Sequence, residues 1–147
     1  MGKNRGFTLI ELMVTIAILA IIATLAAPAF SNMALAQNFN KSTQNLVAQL
    51  NQARSTAVLE RRSVEVKLNS SAADTASILN WQPEGSAILK TGSPTSITFL
   101  LSGSVKNFDA DIKNKPFVVC NKSGGNKSKR IDISLMGTVQ ITEGTTC

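Results

Sequence analysis

Residues 7–30 read FTLIELMVTIAILAIIATLAAPAF. Over these 24 residues only Thr8, Glu11, Thr15 and Thr24 carry polar side chains. A helix of that length covers roughly 36 Å at ~1.5 Å per residue, enough to cross a hydrocarbon core of ~30 Å. Lys3 and Arg5 precede the run, and a basic flank holds that end on the cytoplasmic side. Basic then apolar is also the layout of a secretory signal, but this block is longer than an ordinary signal core. Its end, ATLAAPAF, offers only loose small-residue cleavage candidates. Glu11 is the anomaly. A carboxylate inside a membrane span is costly and is a functional candidate by default. The other reading is an acid near the helix end that snorkels or takes up a proton.

Beyond the apolar block the composition changes. The 147-residue chain carries 15 Lys and Arg against 9 Asp and Glu, a formal charge of +6. The part after residue 30 is rich in Ser, Thr, Asn and Lys and is long enough for one modest core. The chain has no histidine, which removes the usual neutral-pH acid–base group and the commonest zinc ligand. Two cysteines, Cys120 and Cys147, stand late in the chain with no CxxC spacing. They make a poor metal site. In an exported chain they read as one disulfide, with a free C-terminal thiol as the other reading.

Residues 31–62 hold no glycine or proline, and Phe39, Thr43, Leu46, Leu50, Ala53 and Ala57 recur at steps of three and four. That is one apolar stripe on a helix, with Lys41, Asn45, Gln52 and Thr56 on the other face. The expectation is a long, nearly continuous helix, a membrane half followed by an amphipathic half whose stripe packs on the chain's own sheet. After Arg62 the period becomes two: Val64, Val66 and Leu68 alternate with Ser63, Glu65 and Lys67, a half-buried strand. Further strands are expected in ILNW, SAILK, TSITFLL and PFVVC. A hairpin is expected in RIDISL-MG-TVQIT, with alternation at Ile131, Ile133, Leu135, Val139 and Ile141. SGSVKNFDADIKNK reads as mostly turn and loop. No crossover helix is visible, so the strands should be antiparallel. The fold class is α+β: a long N-terminal helix on an antiparallel, sandwich-like domain spanning residues 63–147.

The string KNRGFTLIELMV resembles the leader of type IV pilins and type II secretion pseudopilins. The agreeing residues are Gly6, Phe7, Thr8, Leu9, Ile10, Glu11 and Pro28. The resemblance implies that residues 1–6 are a leader, that a prepilin peptidase cuts between Gly6 and Phe7, and that it methylates the new amine of Phe7. It also implies that Glu11 faces the N-terminal amine of a neighbouring subunit in a filament core. Pro28 lies well inside the expected helix, where it removes a backbone hydrogen bond and can loosen or kink it.

Later pieces resemble, in their order, the GspH/FimT group of minor pilins and pseudopilins. They are Ala53-Arg54 with Ala57, Trp81 with Gly85, ITFLLSGSV, FVVC and IDISLMGTVQI. That likeness implies a pilin-like fold and a place in the inner membrane by a single span with the C-terminal domain in the periplasm. It further implies a later place in a pilus or pseudopilus beside other pilin subunits. A disulfide between Cys120 and Cys147 suits many pilins and is worth roughly 3 kcal/mol in the chain-entropy account.

From Lys106 to Arg130 there are seven basic residues and two acids, the tightest cluster being Lys122, Lys127, Lys129 and Arg130. Such a loop can meet DNA phosphates without reading sequence, or be solvated surface. No aromatic residue lies in it to stack on bases. Some FimT-branch proteins are DNA receptors with a Gly-Arg-x-Arg motif. The matching stretch here is Gly137-Thr138-Val139-Gln140, with neither arginine. No cofactor, metal site or enzyme activity is expected. The chain has no histidine, and NKSGGNKSKR lacks the Walker spacing.

Overall fold

The computed structural model describes residues 7–147. The expected leader 1–6, with Lys3, Arg5 and Gly6, lies outside the described residues. Helix α1 runs Leu9–Leu59 and is followed by strands β1 (Val64–Leu68), β2 (Ile78–Trp81), β3 (Ile88–Leu89) and β4 (Ser96–Phe99). A one-turn helix α2 (Phe108–Asp111) precedes β5 (Phe117–Cys120), β6 (Ser128–Ile133) and β7 (Val139–Gly144). The chain forms two compact units, one ending at Ala34 and one spanning Leu35–Cys147.

In the first unit no described residue is buried, and only Ala26 is half-covered. The helix continues through Pro28. The hydroxyls of Thr15 and Thr24 donate to the carbonyls of Leu12 and Ile21, each at 2.8 Å. These two threonines therefore bring no unsatisfied hydroxyl into apolar surroundings.

The second unit holds the whole core. Phe39, Leu46, Leu50, Ala53 and Ala57 of α1 are buried with Val64, Val66, Trp81, Phe99, Phe117, Val119 and Ile131. The stripe of α1 packs on the chain's own strands, with Thr43 bonding back to the carbonyl of Phe39 at 2.9 Å. The helix stops in a Schellman-type turn: Arg61 takes a left-handed φ of 49°, and Arg62 N–H reaches the Ala57 carbonyl at 3.2 Å.

The strands form a three-stranded sheet in the order β2-β1-β4 and a four-stranded sheet in the order β3-β5-β6-β7. Val105 links the two, bridging to Phe99 and donating to the Leu135 carbonyl at 2.9 Å. The expectation of a wholly antiparallel domain fails at one pair. β1 and β2 run parallel, with Glu65 opposite Ile78 and Leu68 opposite Trp81. The strands are so short that no crossover helix is required. Four paired residues cover only ~13 Å, which the nine-residue loop 69–77 can retrace in extended form. Asn80 holds that loop, its backbone N–H on Asp74 Oδ1 at 2.6 Å and its Nδ2 on the Ala73 carbonyl at 3.1 Å.

The segment 102–115 is mostly turn and loop, as expected, and holds the one-turn helix α2. One further expectation needs correction. The hairpin turn is wider than Met136-Gly137, because Ser134–Thr138 separate β6 from β7. Leu135 therefore sits exposed in the turn rather than in the alternation. Ile141 pairs with the buried Ile131, yet it is 48% exposed. β7 is the outer strand of its sheet, and of its two large apolar residues only Val139 packs against the core.

Candidate functional site

The N-terminal helix opens with a reciprocal capping arrangement. The backbone N–H and the hydroxyl of Thr8 both donate to Glu11 Oε2 at 3.2 Å. Glu11 N–H donates in turn to Thr8 Oγ1 at 3.3 Å. The pattern Thr-x-x-Glu ahead of an apolar run is a capping box, which satisfies helix N–H groups that have no partner within the helix. The negative charge also sits at the positive end of the helix dipole. This role of Thr8 was readable from its spacing to Glu11. Among the described residues Glu11 forms no ion pair, and it is the only ionisable side chain from Phe7 to Asn40. Phe7 is 81% exposed, and the large apolar side chains from Leu9 to Phe30 are all exposed. Pro28 lies in this uncovered stretch.

The helix is long and apolar enough to cross a membrane. What it presents chemically is one continuous apolar surface carrying a single carboxylate near its start. Another apolar helix can cover that surface by close packing, and a fixed cation can meet the acid. Where the surroundings are dry, the cation's position becomes binding, because an unpartnered buried charge is strongly penalised.

The cysteines are joined. Cys120, at the end of β5, and Cys147 form a disulfide with a Cα–Cα distance of 5.8 Å. It ties the residues after β7 to the sheet.

The four basic residues of the candidate DNA loop are not equivalent. Lys129 donates to Asn40 Oδ1 at 2.8 Å and lies 5.3 Å from the centre of the Phe39 ring, so it fastens β6 to α1. Arg130 is engaged in a two-pronged ion pair with Asp132 at 2.7 and 2.9 Å. Hydrogen bonding to Asp132, then its charge, raises the guanidinium pKa further. Lys122 and Lys127 project from an exposed turn closed by Asn121 N–H on the Lys127 carbonyl and Gly125 N–H on the Lys122 carbonyl. Among the described residues, two of the four cations, Lys122 and Lys127, have no side-chain partner.

Between the helix and the sheet lie residues that periodicity did not single out. Ser42 is fully buried. Its hydroxyl accepts Glu84 N–H at 2.8 Å, and its carbonyl accepts Trp81 Nε1–H at 3.2 Å. Glu84 in turn pairs with Lys41 at 2.7 Å and accepts from Asn45. Gly85, at φ +61°, sits where a Cβ would strike the Asn38 side chain, so this turn needs glycine.

With this geometry in place, the comparisons with known proteins are decisive at the level of family. The family described as "Type II transport protein GspH" matches residues 42–137. The chain belongs to the GspH family. A second family, the "Prokaryotic N-terminal methylation motif", matches residues 1–27 of this GspH-family chain. That range takes in Gly6, Phe7 and Glu11 and stops one residue short of Pro28. Among curated proteins none matches. Two crystal forms of the type IV minor pilin FimU of Pseudomonas aeruginosa (strain PAO1) share the fold. The first matches at TM-score 0.52 and 18% identity, covering 76% of this chain and 96% of FimU. The second matches at the same score and identity, covering 74% and 98%. Pilins and pseudopilins are structural subunits, and an N-terminal apolar helix with this motif marks the GspH-family chain as a membrane-anchored one.

Proposed function

We propose that this protein is a minor type IV pilin, a low-abundance subunit that primes or tips the pilus filament. Prepilin peptidase removes residues 1–6 after Gly6 and methylates the amine of Phe7. The chain waits in the inner membrane by its single span, with the domain in the periplasm, and then joins other pilin subunits in the filament. The observation that carries this reading is the uncovered apolar helix from Leu9 onward, attached to a domain whose core begins only at Phe39. That exposed apolar surface serves lipid first and neighbouring helices later. Glu11, already at the helix start, sets the axial register by meeting the amine of a neighbour.

A second reading, a minor pseudopilin of a type II secretion system, is supported by the description of the matching family. It uses the same helix in the same way. The DNA-uptake reading draws less support, because Lys129 and Arg130 are engaged within the chain and the Gly137–Gln140 stretch lacks arginine. Gly6→Val tests the proposal. The variant is expected to stay six residues longer and to be missing from sheared pili, with piliation reduced. Loss of secretion with normal piliation would select the pseudopilin reading, and no effect on either would remove both.

A further inference from the structure

The edge of β4 opens into a groove that no part of the assembly reading uses. Antiparallel pairing with β1 sets Val66 against Ile97 and Val64 against Phe99, and Leu68 N–H reaches the Thr95 carbonyl at 2.8 Å. Backbone groups alternate sides along a strand, so Thr95, Ile97 and Phe99 serve the β1 ladder while Ser96 and Thr98 face outward. The chain begins to cover that outer edge and then abandons it. Leu100 N–H reaches the Ser104 carbonyl, and Lys106 N–H reaches the Thr98 carbonyl at 2.9 Å. At Asn107 the backbone turns left-handed, φ 51°, and leaves as α2.

The peeling leaves a cavity of about 550 Å³ between β4 and the segment from Lys106 to Lys115. Among the described residues, no hydrogen bond reaches the N–H or carbonyl of Ser96 or the N–H of Thr98. The lining is polar: Ser93, Thr95, Ser96 and Thr98 on one side, Lys106, Asp111 and Lys115 on the other. Two cations stand against one anion. Lys115 Nζ is held in place by the Ala110 carbonyl at 2.7 Å, while Lys106 makes no ion pair among the described residues.

We infer that this groove binds an extended segment of another protein chain that carries an acidic side chain. Outward donors and acceptors spaced along a strand match the backbone of a second strand, the mode of β-strand addition. The excess positive charge selects the side chain. Lys106 and Lys115 receive the carboxylate and repel basic segments, outweighing the single acid Asp111. Natural edge strands are usually blunted by proline, charge or cover; from Ser96 to Thr98, β4 itself carries neither proline nor charge, and only the Thr98 carbonyl is covered, by Lys106 N–H. The site lies wholly in the Leu35–Cys147 unit, so it stands apart from the filament reading.

The full chain in detergent micelles provides the test, with amide hydrogen exchange read by NMR. The probes are the capped peptide acetyl-Thr-Val-Glu-Val-Thr-amide and its counterpart with Lys in place of Glu. The Glu peptide is expected to slow exchange at Ser96 and Thr98 and to bind at least about tenfold tighter than the Lys peptide. Lys106→Glu with Lys115→Glu is expected to reverse that preference. Thr98→Pro removes an outward N–H that the β1 ladder does not use and is expected to abolish protection at Ser96. Unchanged exchange at Ser96 in the native chain at saturating Glu peptide overturns the inference. So does equal protection by both peptides that survives the charge reversal.

Discussion

Trp81 donates its indole N–H to the main-chain carbonyl of Ser42 at 3.2 Å, across 39 residues of sequence. The bond joins the last residue of β2 to the middle of α1, with both residues buried. Ser42 adds a second tie through its hydroxyl to Glu84 N–H. This polar clamp sets the rotation of the helix on the sheet, which apolar packing alone fixes less sharply.

Ser42→Ala leaves Glu84 N–H without its acceptor. We expect a loss of about 1–2 kcal/mol. Trp81→Phe removes both the bond and part of the ring and should cost about 2–4 kcal/mol. Denaturant midpoints of the full chain, read by far-UV circular dichroism, give both numbers.

The Cys120–Cys147 bond closes a loop of sequence separation 27. Replacing both cysteines by serine should lower stability by about 3 kcal/mol. Amide exchange is expected to rise first in β7, which bonds only to β6. A stability change below about 1 kcal/mol would mean that the last strand holds without the bond.

Arg61 occupies the left-handed position that ends α1, a conformation that disfavours any residue with a Cβ. It is exposed. Arg61→Gly should therefore raise stability by about 1 kcal/mol, measured in the same denaturation series. A decrease would place a hidden contact on the arginine.

Thr8 and Glu11 separate two roles by substitution. Thr8→Val removes the hydroxyl of the capping box, costs about 1 kcal/mol of local helix stability, and leaves the acid intact. Glu11→Gln keeps a capping side chain but removes the charge. If Glu11 serves register, Glu11→Gln should insert in the membrane normally yet enter sheared filaments at least tenfold less, because an unpartnered ammonium in a dry core costs several kcal/mol. Thr8→Val should enter at near wild-type level. The reverse order would assign Glu11 to capping alone.

The legible part of this fold is its periodicity. The stripe from Phe39 to Ala57 reported its own burial, and the alternation at Val64, Val66 and Leu68 reported the first strand. The parallel β1–β2 pair was illegible because direction depends on loop length against strand length, and the strands are shorter than the rule assumes. Ile141 was misread because alternation gives the face of a strand but not whether another layer reaches that far. The basic cluster looked uniform in sequence. Only the partners of Lys129 and Arg130, Asn40 beside Phe39 and Asp132, divided it. The groove beside β4 left no sequence signal, since it arises from where Asn107 turns the chain away.

The central claim is that this helix is an anchor released for filament assembly. Mass spectrometry of the N-terminal peptide from sheared surface filaments tests it most directly. The account predicts a chain beginning at N-methylated Phe7. A filament chain that retains residues 1–6, or one cut within Ala26–Ala29 as an ordinary signal peptide would be, contradicts it.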